Sequence, residues 1–125
     1  LSVLLCDKGD FANATSSAST KLIHGGLRYL EHRAWKLVRT SLHERAVLLK
    51  AAPHLVHPLR FVLPHQSQLR PYYWVRLGLW TYDCLAGAQG LFRSRTLGAS
   101  ELGDPLGPQF KRGFSYWDAQ VDDAR

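Results

Sequence analysis

Thr15-Ser16-Ser17-Ala18-Ser19-Thr20-Lys21-Leu22-Ile23-His24-Gly25-Gly26-Leu27-Arg28-Tyr29-Leu30-Glu31 is the stretch on which the reading of this chain turns. Just ahead of it stands Leu1-Ser2-Val3-Leu4-Leu5-Cys6-Asp7, a short apolar run that ends in a carboxylate. Such a run reads as a parallel strand buried on both faces. An acid at its end is the place where a dinucleotide fold holds ribose hydroxyls, although a strand ending in Asp is common in any α/β protein. The small hydroxylated side chains that follow let a backbone approach a flat ring or a pyrophosphate closely. By composition alone the same run is a solvated connector. What tilts the balance is its direct continuation into Lys21, His24, the Gly25-Gly26 pair and Arg28-Tyr29.

The remaining sequence organises around this core. A short helix is expected from Ser16 to Ile23 with Thr15 or Ser16 as N-cap, and Gly25-Gly26 breaks it. Leu27, Leu30, Ala34, Leu37, Val38, Leu42, Ala46 and Leu49 step by threes and fours, which predicts one amphipathic helix that Pro53 stops. Leu59 to Leu63 reads as a strand bounded by Pro58 and Pro64. Tyr72 to Leu85 predicts a second helix, and Gly87 to Pro108 a loop with little regular structure. Gly113 to Val121 predicts a strand, followed by a helix with Asp122 as its N-cap.

Size and charge set bounds. The chain has 125 residues, no Met, and Leu at position 1, so a fragment of a longer protein is expected. The net charge of +6 favours anionic partners without selecting one. Cys6 and Cys84 have no C-x-x-C spacing and read as reduced thiols. No run reaches the roughly 18–20 apolar residues that span a bilayer. The most apolar stretch, Tyr72 to Leu85, carries Arg76 and Asp83.

Individual residues leave two readings each. Arg28 has the geometry to grip a phosphate bidentately and Tyr29 to add a hydroxyl donor; the alternatives are a solvated helix face and a core edge. His24 beside the glycines is a candidate flavin or substrate contact or an ordinary structural histidine. His54, His57 and His65 are read as structural rather than as metal ligands, and Arg93, Arg95, Lys111 and Arg112 as a solvated basic face. The basic residues form no stripe and no nucleic-acid motif, so a small basic module for nucleic acid or anionic surfaces is the minor alternative.

The run from Thr15 through Glu31 resembles the flavin-proximal signature of FAD-dependent glycerol-3-phosphate dehydrogenases. Leu48 to Leu55, Lys111 to Phe114 and Val121 to Arg125 resemble further segments of that family, in family order. The resemblance implies a flavoenzyme that oxidises sn-glycerol 3-phosphate to dihydroxyacetone phosphate by hydride transfer to FAD. It implies electrons passed to a membrane quinone, and a cytoplasmic protein peripheral on the inner face of the membrane, with a homodimer allowed and no nucleic acid. An oxidase using O2 and a sister amine oxidase are the nearby alternatives.

By carry-over, Asp7 matches the family's ribose-binding acid, which is usually Glu. Thr15, Ser16, Ser17, Ser19 and Lys21 match the FAD-contacting stretch. Leu22, His24, Gly25 and Gly26 lie against the isoalloxazine, and Arg28 and Tyr29 fall in the substrate pocket. The implied fold class is α/β, α+β in its second part. Residues 1–31 form part of a Rossmann-like FAD-binding domain whose glycine-rich loop is missing, and residues 32–125 form part of a helix-plus-antiparallel-sheet substrate or cap domain. The general base is expected outside the chain. The 125 residues alone are therefore expected neither to hold FAD stably nor to turn over.

Overall fold

A computed structural model describes residues 2–10, 12–66, 68, 70–102 and 109–123. Its centre is β4 (Arg112–Val121), a ten-residue strand carrying Phe114, Tyr116, Trp117 and Ala119. Strand β2 (Val56–His65) pairs with it antiparallel over its whole length, from Val56 opposite Val121 to His65 opposite Arg112. The other edge of β4 is shared by two short strands. Strand β1 (Leu22–Ile23) pairs with Gln120 and Ala119, and β3 (Arg95–Gly98) pairs with Ser115 to Arg112. The sheet is thus wholly antiparallel.

Strand β2 runs longer than its sequence bounds suggest, and takes both Pro58 and Pro64 inside it. As an edge strand it loses nothing there, because a missing N–H need only face away from β4. Two helices, α1 (Trp35–Ala51) and α2 (Tyr72–Ala86), pack on each other beside the sheet. Val38, Leu42, Tyr82 and Ala86 meet Leu30 in one core cluster, with Leu27, Leu85 and Tyr116 at its margin.

The expected single helix from Leu27 is two elements. Leu27–Leu30 form a 3-10 helix, and Arg33, at φ 56°, reverses the chain before α1 begins. The Arg33 N–H donates to Leu30 O at 3.1 Å and the Ala34 N–H to Tyr29 O at 3.2 Å. This is a left-handed C-terminal cap with Arg where Gly is usual. Apolar spacing does not register such a reversal, because it preserves the stripe on both sides. Helix α1 ends at Ala51 ahead of Pro53, which restricts the residue before it.

Three further expectations are corrected. Leu1 to Cys6 forms no strand over its described residues: Val3, Leu4 and Leu5 are 85%, 89% and 88% exposed. A parallel strand draws its hydrogen bonds from neighbours, and no described residue supplies them. The helix expected over Ser16 to Ile23 is instead a series of turns leading into β1. There Ser17 Oγ donates to Ala14 O at 2.7 Å and Ser19 Oγ to Ser16 O at 3.0 Å, so serine hydroxyls take carbonyls a helix would need. Lys21, at φ 58°, then turns the chain out to pair with β4.

The expected loop from Gly87 contains a 3-10 turn (Gly87–Gln89), β3, and a short helix α3 (Ala99–Leu102). Leu97 and Leu102 are buried, which anchors it. Residues 103–108, and 124–125 where a helix after Asp122 would continue, lie outside the described residues. Asp122 itself places Oδ2 3.1 Å from His57 Nε2, and its N–H donates to Leu55 O.

Gly25 is the tightest point of the packing. A Cβ there would come within 2.5 Å of both Leu42 Cδ2 and Tyr82 Oη. Gly25→Ala is expected to destabilise the fold by about 1–3 kcal/mol, the usual range for overpacking, and a shifted urea midpoint would show it.

Candidate functional site at the sheet face

A cleft of about 1450 Å3 opens between the sheet, the 3-10 helix and α2. Alternate residues of a strand share a face. The register sets Phe61 opposite Tyr116 and Leu63 opposite Phe114, so the cleft floor is aromatic and apolar. Phe61 and Tyr116 stack at 5.1 Å between ring centres. Trp74, Val75 and Gly78 of α2 line one side, and Leu22, His24, Gly26, Arg28 and Tyr29 line the other. Arg70 Nη2 lies 2.6 Å from Glu31 Oε2 at the rim, and Nη1 of the same guanidinium pairs with Oε1.

Five of the residues singled out in the sequence therefore share one wall. His24, Arg28 and Tyr29 are exposed along it, while Gly26 is buried. Gly25 lies behind them, its amide turned into the core. Asp7, Thr15, Ser16, Ser17, Ser19 and Lys21 lie outside the cleft lining. Asp7 accepts a hydrogen bond from Gly9 N–H at 2.9 Å, and the serines bond within their own turns.

Behind this wall lies a polar network that sequence reading missed. Arg45 and Asp118 are each 1% exposed, and Arg45 Nη1 sits 2.5 Å from Asp118 Oδ1. The Tyr82 hydroxyl donates to the same carboxylate, 2.8 and 2.9 Å from its two oxygens. The Gly25 N–H donates to Tyr82 Oη at 2.8 Å, with Asp118 Oδ1 at 3.4 Å. Arg45 also donates to Trp117 O at 3.1 Å. A turn, two helices and the central strand thus meet at one carboxylate. A signal did exist: Arg45 stands seven residues after Val38, squarely on the buried stripe of α1.

Burial pushes the Asp118 carboxyl above its ordinary value, against the pull of the Tyr82 hydroxyl, the Arg45 guanidinium and the Gly25 N–H. Tyr82 is raised by burial and by the neighbouring Asp118 charge, and for the same reasons Tyr116 is pushed up to about 12 from 10.0. Both phenols hold their protons in the folded protein at pH values where the unfolded chain releases them. Their contribution to stability is therefore complete below pH 10 and lost as pH rises through the folded values. Between pH 10 and 12 the expected loss is roughly 1.4 kcal/mol per pH unit for each tyrosine. Unfolding midpoints across that window would check it, and Tyr82→Phe should flatten the slope.

The other titratable groups lie apart from this network. His57 and His65 stand at opposite ends of β2, with His65 Nε2 2.9 Å from Arg70 O. Among the described residues no group of His, Cys, Asp and Glu is placed to hold a metal ion. Arg95 reaches Glu101 at 3.4 Å and Arg112 lies 6.0 Å from the Tyr72 ring centre. No described helix is long and apolar enough to cross a membrane.

The profile of the DAO family, described as FAD dependent oxidoreductase, matches residues 1–125. The chain belongs to the FAD-dependent oxidoreductase family. It is 56% identical over 128 residues to a glycerol-3-phosphate dehydrogenase of Pseudomonas aeruginosa, covering all of this chain and 24% of that protein. It is 54% identical over 127 residues to the aerobic glycerol-3-phosphate dehydrogenase of Escherichia coli K12, covering 25% of it. It shares the same 54% with a D-erythritol 1-phosphate dehydrogenase of Brucella abortus, again over all of this chain and 25% of that protein. The chain thus spans about a quarter of the length of these curated relatives.

FAD is the family's cofactor, and the cleft wall fits it. Gly26 has φ 72°, and a Cβ there would stand 2.4 Å from the Tyr29 ring. Gly26 thus makes room for Tyr29, while Leu22 and Leu27 on the same wall offer an apolar surface that suits a flat ring.

Proposed function

We propose that this chain supplies the flavin-proximal wall and the phosphate grip of a dehydrogenase acting on a small polyol phosphate, sn-glycerol 3-phosphate first among them. The observation that carries the reading is the gathering of His24, Gly26, Arg28 and Tyr29 on one wall of a cleft whose floor is aromatic and apolar. FAD, when bound, supplies the hydride acceptor for the secondary alcohol carbon. Asp7 is assigned to its ribose, Thr15, Ser16, Ser17, Ser19 and Lys21 to its nearby polar groups, and Leu22, His24, Gly25 and Gly26 to the side of its ring. Arg28 offers a planar, permanently charged fork to the phosphate, and Tyr29 a hydroxyl donor. Together they hold the reacting carbon in place, and the apolar floor keeps water from it. The general base is assigned to none of these residues.

We infer that residues 1–31 serve the FAD-binding domain and 32–125 the substrate-binding domain. In support, residues 2–10 and 13–20 are exposed and outside the sheet, whereas α1, α2, β2 and β4 pack together; Leu22–Ile23 and Leu30 join that second group and form the junction. The isolated 125 residues are expected to lose FAD on gel filtration. Quinone at a membrane surface is the proposed electron acceptor, and a homodimer the proposed assembly.

Equal identity to the erythritol-phosphate enzyme supports a second substrate, a four-carbon polyol phosphate. The test is anaerobic bleaching of the flavin band in the full-length gene product. Bleaching by glycerol 3-phosphate supports the first reading, and bleaching by erythritol phosphate alone the second. A flavin that neither reduces would sink both. Peroxide formed in air in place of quinone reduction would mark an oxidase.

A further inference from the structure

The buried Arg45–Asp118 pair has no role in the chemistry above, and stability does not account for it. Buried ion pairs are often matched or bettered by well-packed apolar residues, and here Arg45 Nε is left without a hydrogen-bond partner. What the network holds is more telling. Among the described residues, its hydrogen bonds beyond its own three side chains reach only the Trp117 carbonyl and the Gly25 N–H. Gly25 stands between His24 and Gly26, both on the cleft wall.

We propose that Arg45, Asp118 and Tyr82 form a positioning relay that fixes the backbone of Gly25, and with it the flanking His24 and Gly26, against the flavin. This rests on the functional reading just given. Arg45 orients the carboxylate, and the carboxylate accepts the hydrogen bond of the Tyr82 O–H. The phenol oxygen is thereby left with a lone pair facing the Gly25 amide. Without the hydroxyl, the nearest remaining acceptor is Asp118 Oδ1 at 3.4 Å, a long contact. The glycine pair is then free to shift, and a shift near 1 Å at a reacting site can cost up to about a hundredfold in rate. Arg28 belongs to the 3-10 helix, which Leu30 also ties into the core by apolar packing that the loss of one hydroxyl leaves in place, so substrate affinity is expected to change less than rate.

The test uses the full-length, FAD-loaded protein. Tyr82→Phe keeps the ring and removes the hydroxyl. The expected result is a kcat lowered about tenfold or more, a KM for glycerol 3-phosphate changed by less than about threefold, and a displaced visible flavin band. Val38→Ala, which opens a cavity in the same core cluster without removing any hydrogen bond of the relay, should lower stability and leave kcat within about twofold. Tyr82→Phe with unchanged kcat and an unchanged flavin band would overturn the proposal, whatever its thermal stability. If Tyr82→Phe does not fold, difluorotyrosine at position 82 keeps the shape and weakens the oxygen as an acceptor. It should lower kcat several-fold, and an unchanged kcat overturns the relay. If no polyol phosphate reduces the wild-type flavin, the functional reading fails instead. The band displacement then still decides whether Tyr82 sets the wall.

Discussion

Asp118→Asn is expected to cost about 3–5 kcal/mol of folding stability, the largest effect of any single substitution here. The carboxylate is 1% exposed and gathers hydrogen bonds from Arg45, Tyr82 and Gly25. An amide keeps its size and loses the charge, which strands the Arg45 guanidinium inside the core with no counter-ion. A cation so placed carries its full desolvation cost. Removing the charge together with its partner avoids that cost. Arg45→Met combined with Asp118→Leu is therefore expected to recover most of the lost stability, because neither charge is left unpaired. Urea midpoints for Arg45→Met, Asp118→Leu and the pair would measure the coupling directly. Simple additivity of the two losses would contradict the burial and pairing described above.

Arg28→Ala is expected to lower kcat/KM for glycerol 3-phosphate by roughly 10^2 to 10^3. Two charge-assisted hydrogen bonds to a dianion are worth about 1.5–3 kcal/mol each, and about 3–4 kcal/mol of net loss corresponds to that factor. Arg28 is exposed on the cleft wall and, among the described residues, has no recorded carboxylate partner. Its removal should therefore spare the fold. Lysine restores the charge without the fork, so Arg28→Lys should recover only part of the activity. A steady-state comparison of the three proteins would check both statements.

Much of this arrangement was legible in the chain itself. The apolar spacing of α2 and the aromatic run Phe114, Tyr116 and Trp117 of β4 are strong local signals, and both elements stand where the sequence puts them. The gathering of His24, Arg28 and Tyr29 was likewise readable from neighbouring residues, whereas the glycine pair ends no helix, because none forms ahead of it. What escaped was decided by partners distant in sequence. Leu22–Ile23 is a strand only because β4 lies beside it, whereas its serine-rich approach has the look of a helix start. Leu1 to Cys6 has strand composition, yet its described residues have nothing to pair with. Arg45, Tyr82 and Asp118 lie on three separate elements, and no local pattern announces that their side chains meet. The left-handed turn at Arg33 left no mark either, because an arginine there carries none of the glycine signature of such a cap.

The most direct test of the phosphate grip is discrimination between glycerol 3-phosphate and plain glycerol, read as the anaerobic rate of flavin reduction in the full-length protein. Wild-type protein is expected to favour the phosphate ester strongly, and Arg28→Ala to lose roughly 10^2-fold or more of that preference while its rate with glycerol stays unchanged. An Arg28→Ala protein that still reduces its flavin at the wild-type rate with subsaturating glycerol 3-phosphate would show that the phosphate is held elsewhere.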